Sequence, residues 1–225
     1  MDIVSTLLTV LVTVVVLFLL YKYGRSIGVS STSNNLVGSA IDGKKQFDSG
    51  VSIPTSVNQA EGLTFSYAAW IKVDDFSYRY GQEKVIFIKG PTDLSSMCPG
   101  VFLDANTNSL LVKVDTFGSR EVVVVSNLSA KKWFHLAVAV DQDSIDVYIN
   151  GIIHTHHSIA QLPRQNPSTV HVGVGGGFDG SISSLNYYNY FLQGADVKAI
   201  MGSPPELDKS DVQPPYYDIT WWTGR

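Results

Sequence analysis

Residues 132–151, KWFHLAVAVDQDSIDVYING, constrain this chain more than any other stretch. They read as two antiparallel strands closed by a polar turn. In the first strand Trp133, His135, Ala137 and Ala139 point one way, and Phe134, Leu136, Val138 and Val140 point the other. Both sets are largely apolar, which predicts a central strand covered on both faces. Asp141, Gln142, Asp143 and Ser144 supply the turn, because short Asp and Ser side chains hydrogen-bond the local backbone. The return strand sets Ile145, Val147 and Ile149 on one face. Asn150-Gly151, the dipeptide most tolerant of positive φ, then reverses the chain again.

The same alternation recurs along the chain. Residues 63–73, LTFSYAAWIKV, place Phe65, Tyr67, Ala69 and Ile71 on one face, and 84–89 form a short apolar strand ended by Gly90-Pro91. Residues 101–104 and 109–115 predict a hairpin, 121–126 carry four valines, and further strands are predicted at 152–159, 169–174 and 181–190. Turn residues interrupt these runs at short, regular spacing, which is the pattern of an all-β sandwich or barrel. Residues 194–201 are the helical candidate within this part.

The N-terminus is different. Residues 3–21, IVSTLLTVLVTVVVLFLLY, hold no charged side chain. As a helix they span roughly 28 Å, enough for a hydrocarbon core, and predict a transmembrane anchor with a lipid bilayer as its partner. Asp2 precedes the run, while Lys22 and Arg25 follow it. That order argues against a cleaved leader and places the following domain on the cytosolic side. The expected organisation is an anchor at 1–25, a Ser/Gly/Asn-rich stalk at 26–50, a sandwich at 51–201 and a proline-stiffened aromatic tail at 202–225. A net charge of −4 offers no long-range attraction for nucleic acid. The single cysteine, Cys98, excludes an internal disulfide and leans towards a reducing compartment.

Four blocks in order carry a resemblance: Phe65-Ser66-Tyr67-Ala68-Ala69-Trp70, then residues 133–138, then Val147-Tyr148-Ile149-Asn150-Gly151. The last is Phe178-Asp179-Gly180-Ser181-Ile182 with Tyr188-Asn189-Tyr190-Phe191-Leu192. Over about 63–201 this order resembles the concanavalin A-like, laminin-G-like jelly-roll family. Trp70 and Trp133 are expected to plug the space between two sheets. The glycine run at 173–177 is expected to let backbone pass close to neighbouring strands.

The resemblance covers lectins, adhesion modules, hydrolases and structural proteins, so chemistry must be read from residues. Hydrolases of this fold resemble one another in a strand with two glutamates flanking an aspartate. The four glutamates here, Glu61, Glu83, Glu121 and Glu206, fall in no such pattern, which predicts a protein without catalytic residues. Laminin-G-like domains often hold calcium at the sandwich rim, which makes Asp104 and Asp179 the candidate metal ligands; no other cofactor is implied. His154, His156 and His157 form an incomplete ligand set and read better as a polar edge strand.

Two functions follow. Anchored, disulfide-free sandwiches look like minor structural proteins of large icosahedral DNA viruses with an internal membrane. That implies neighbouring structural or capsid proteins as partners, met through Tyr216, Tyr217, Trp221 and Trp222 of the tail. The alternative is a membrane-anchored carbohydrate-binding or adhesion module, with Phe76, Tyr78 and Tyr80 stacking on sugar faces. It requires a lumenal or extracellular domain, in which the sequon Asn127-Leu128-Ser129 would carry a glycan.

Overall fold

A computed structural model of the chain describes residues 11–15, 33–54, 56 and 63–207. The chain divides into Met1–Thr32 and Ser33–Arg225. In the first unit residues 11–15 are helical and exposed. The rest of the expected anchor at 3–21 lies outside the described residues, as do Tyr216, Tyr217, Trp221 and Trp222. Among the described residues no helix is long and apolar enough to cross a membrane.

The second unit is a sandwich of two antiparallel sheets. Its centre is the pairing of β4 (Phe65–Asp75) with β9 (Trp133–Val140), in register from Phe65 opposite Val140 to Lys72 opposite Trp133. β9 turns through Asp141–Ser144 into β10 (Ser144–Ile149), and the main-chain amide of Asp141 donates to the Ser144 carbonyl at 2.8 Å. Asn150 and Gly151 both take positive φ, 49° and 76°, and lead into the edge strand β11 (Ile152–Ser158). On the other side of β4 lies β13 (Asp179–Tyr188), flanked by β1 (Ser33–Val37) and β2 (Ile41–Asp42). The second sheet runs β3 (Phe47–Asp48), β12 (Val170–Val172), β5 (Lys84–Lys89), β6 (Gly100–Leu103), β7 (Leu110–Asp115) and β8 (Arg120–Val125).

The main core fills the space between the sheets with the inward sets of the alternating strands, including Phe65, Tyr67, Ala69, Ile71, Leu136, Val138, Val140 and Ile182. Each large apolar side chain so buried contributes about 1.5–3 kcal/mol. The outer face of the first sheet is also covered. Ala68, Ala137 and Ala139 are small enough to admit Leu192 and Val197, which belong to the helix α1 (Gly194–Met201) and the segment before it. Ser66 ties that cover down: its hydroxyl donates to the Tyr190 carbonyl and accepts from the Leu192 amide, both at 2.9 Å. The expected two-sided burial of β9 therefore holds, and the reason is visible in its alanines.

Two expectations are corrected. Residues 33–48, assigned to the stalk, supply β1, β2 and β3, with Leu36 and Val37 buried. Their polar composition hides this, because backbone pairing with β13 and β12 places them. Trp70 and Trp133 do not plug the space between the sheets. Both have the parity opposite to Tyr67, Ile71 and Phe134, so they stand half-buried on the outer face.

The glycine run packs as expected of a close approach. A Cβ at Gly177, where φ is 49°, would lie 1.9 Å from the Gly43 carbonyl oxygen, whereas one at Gly175, at φ 65°, would meet open space. Gly177→Ala should therefore lose roughly 2–4 kcal/mol by adding collision to positive-φ strain, and Gly175→Ala only about 1 kcal/mol. Urea unfolding of the two variants checks the order; equal losses would remove the collision argument.

Candidate functional site

The most developed site lies on the outer face of the first sheet, beyond the end of α1. Trp70 of β4 and His135 of β9 are direct cross-strand partners. Their rings meet edge to face, with centroids 5.2 Å apart. A cavity of about 330 Å³ opens beside them, bordered by Asn35 of β1, Asn186 and Tyr188 of β13, Ile200 of α1 and Glu206. This volume is that of a small-molecule site.

Local irregularities of the strands shape the cavity. β13 shifts register against β4 between Ser183 and Asn186, and Ser184 there takes φ 51°. β1 shifts against β13 between Asn35 and Val37. Such bulges redirect side chains out of the regular alternation. Segment 203–206 forms the rim: the Trp70 indole donates to the Ser203 carbonyl at 2.9 Å. The Glu206 carbonyl accepts from the Ala40 amide at 2.7 Å and from the Ser183 hydroxyl at 2.9 Å.

His135 is the unusual group in this wall. It is 1 % exposed, and its Nδ1 has no hydrogen-bond partner among the described residues. Burial pushes its pKa down to about 4, so the ring is neutral at physiological pH. Its main chain is fixed by Asn150, whose side-chain oxygen accepts from the His135 amide at 2.9 Å. A neutral imidazole offers one donor and one acceptor. The Nδ1 atom itself is enclosed, and the cavity adjoins the residue rather than that nitrogen.

The residues singled out in the sequence lie elsewhere. Phe76 packs against the main core, and the Tyr78 hydroxyl donates to the Gly176 carbonyl at 3.1 Å. Arg79 meets the Gly175 carbonyl, and Tyr80, 69 % exposed, is the one aromatic of the three left open. Asp104 caps its own turn, accepting from the Thr107 hydroxyl at 2.8 Å and from the amides of Asn106 and Thr107. Asp179 pairs with Lys44 at 2.9 Å. Among the described residues no three His, Cys, Asp or Glu are grouped to hold a metal. His154, His156 and His157 lie on the edge strand β11, where His156 meets Asp146 at 2.5 Å and His157 meets Glu121 at 3.1 Å. The sequon Asn127 is exposed.

Size alone places Trp70 in the core, and nothing local in the sequence gives His135 a role. Parity was the available signal: Trp70 alternates out of phase with Phe65, Tyr67, Ala69 and Ile71, and His135 shares the outward set of β9.

Among solved structures, the chain is similar to the receptor binding domain of botulinum neurotoxin C/D mosaic serotype, at 14% identity and a TM-score of 0.58. That match covers 78% of this chain and 47% of the other. It is similar to the binding domain of Paraclostridial Mosquitocidal Protein 1, at 18% identity and a TM-score of 0.56, over 77% of this chain and 48% of the other. The botulinum neurotoxin type G receptor binding domain gives 20% identity and a TM-score of 0.51, over 78% and 47%. The chain thus spans about half the length of these domains, and the likeness is one of fold. No curated protein matches the chain as a relative. Residues 42–198 match the laminin-G-type family described as the concanavalin A-like lectin/glucanases superfamily. The sandwich, its register and this match together make the chain a member of the concanavalin A-like lectin/glucanases superfamily.

Proposed function

We propose that the sandwich is a non-catalytic binding module that takes a carbohydrate in the cavity beside Trp70 and His135. The outward pair of Trp70 and His135 at the cavity wall carries this reading, because an aromatic ring beside a neutral imidazole suits an uncharged, hydroxylated ligand. The half-buried Trp70 ring supplies an apolar surface for a sugar face, and the side chains of Asn35 and Asn186 supply amide donors and acceptors for its hydroxyls. Membership in a lectin-containing superfamily supports the same ligand class. Glycoside hydrolysis requires two carboxyl groups. Glu206 is the single carboxylate among the described residues at the wall, which favours binding over catalysis.

A second reading has its own observation. Ser33 and Glu206 border the same cavity. The chain therefore continues from this one region both upstream to the apolar run 3–21 and downstream to the aromatic tail. On this reading the module links a bilayer to a neighbouring structural protein, such as a capsid protein, from the cytosolic side.

Three measurements test these readings. On a glycan array the full chain should bind a defined saccharide set, and Asn35→Ala, a change at an exposed side chain, should weaken it about 3–10-fold at unchanged melting temperature. Trp70→Ala should weaken binding tenfold or more, by roughly the value of a lost aromatic stack. An array with no specific saccharide would end the carbohydrate reading. For the tether, Trp221→Ala with Trp222→Ala should leave membrane flotation intact and abolish co-purification of a structural partner; a retained partner would exclude the tail.

The third concerns pH. The His135 pKa is depressed from 6.5 to about 4 in the fold, so between those values the unfolded chain binds the extra proton. Its contribution is complete above pH 6.5 and is lost as pH falls towards 4, by roughly 3 kcal/mol at most. Unfolding free energies of wild type and His135→Gln should diverge across that window, with the variant flatter. Parallel curves would show that the ring is not held neutral.

A further inference from the structure

A second cavity, of about 440 Å³, opens on the other sheet between residues 50–54 and 165–169, with Lys89 at its wall. Lys89 ends β5 and is only 9 % exposed. Its ammonium touches neutral oxygens alone: the Asn166 carbonyl at 2.6 Å, the Ser168 carbonyl, and the Asn166 side-chain oxygen at 3.4 Å. No carboxylate pairs with it among the described residues. A buried cation held by carbonyl dipoles without a counter-charge is an incomplete arrangement. Two of its three N–H groups are well used, while the third makes only the long contact to Asn166. Burial pushes the Lys89 pKa down, which an anion beside it would reverse.

The rest of the wall suits an oxyanion. The side-chain hydroxyls of Ser52 and Ser168 border the cavity and make no side-chain hydrogen bond among the described residues. Val51, Ile53 and Pro54 provide an apolar flank for the non-charged part of a ligand.

We infer that this cavity is a binding site for a small oxyanion, carried as the carboxylate or sulfate of a ligand, received by Lys89 with Ser52 and Ser168 as hydroxyl donors. The site is separate from the Trp70–His135 cavity and stands without the carbohydrate reading. Its occupant brings a charge, where the other cavity offers a neutral ring and amides.

The test uses the full-length chain in non-ionic detergent, melted in sodium acetate, glucuronate or sulfate against chloride at matched ionic strength. A saturable rise in Tm of about 3–5 °C at tenfold excess over Kd is expected. Equal responses to acetate and sulfate would assign a free oxyanion, and a preference for glucuronate an acidic saccharide. Lys89→Met should abolish the rise. Because Lys89 also pins the 166–168 loop, Ser52→Ala with Ser168→Ala is the second variant; it leaves that pinning intact and should weaken the apparent Kd about 3–10-fold. No saturable rise in the wild type, or a rise unaltered in both variants, would overturn the site. So would a rise seen only in Glu61→Gln, which would identify the chain's own carboxylate as the occupant.

Discussion

The structure depends on the pairing of β4 with β9 and on what covers its two faces. Inward residues of both strands build the main core, while the outward residues form a strip that changes character along its length. Ser66 with Ala139 and Ala68 with Ala137 are small, and the segment around Leu192 and Val197 lies on them. At the next pair, Trp70 and His135, the side chains become too large to admit a helix, and the cover gives way to a cavity. At the last pair Trp133 is half-buried, with the Lys72 ammonium 6.0 Å from its ring centroid. One strip of alternating residues thus fixes helix packing, the site and an open surface in succession.

Much of the fold was legible because strand period and burial coincide in this chain. β5 and α1 fall on the residues expected, and the other predicted strands are displaced by a few residues at most. The N-terminal strands escaped because a two-residue strand such as Ile41–Asp42 or Phe47–Asp48 has no period to read. Their positions are set by partners more than a hundred residues away. The tryptophans were misplaced by reasoning from size against parity. Bulk suggests the core, but Ala69 and Ile71 occupy the inward positions on either side of Trp70.

The site itself was hidden for a different reason. Asn35, Trp70, His135, Asn186 and Glu206 come from five separate segments. They converge because β13 inserts between β1 and β4 and because 203–206 returns along the sheet. No local pattern encodes that convergence. The loop 76–80, with its dense aromatics, looked more like a recognition surface. Its side chains instead hold the glycine turn at 174–176, through Tyr78 and Arg79. Aromatic density in sequence therefore marked a packing element, while a single outward Trp beside a buried His marked the cavity.

The two cavities handle buried polarity in opposite ways, and the contrast bears on what each can bind. His135 can shed its charge, and burial keeps it neutral down to about pH 4; the remaining ring asks only for a hydrogen bond. Lys89 starts from an ammonium pKa far above neutrality, and carbonyl oxygens gather round it without neutralising it. A neutral hydroxylated ligand suits the first because a charge there would be desolvated without compensation. An oxyanion suits the second because it supplies a counter-charge that no described residue provides. Both groups sit on strands of the two central sheets, where an apolar residue would be the simpler choice for stability. It is their placement at cavity walls, beside open volume rather than packed side chains, on which the two proposed sites rest.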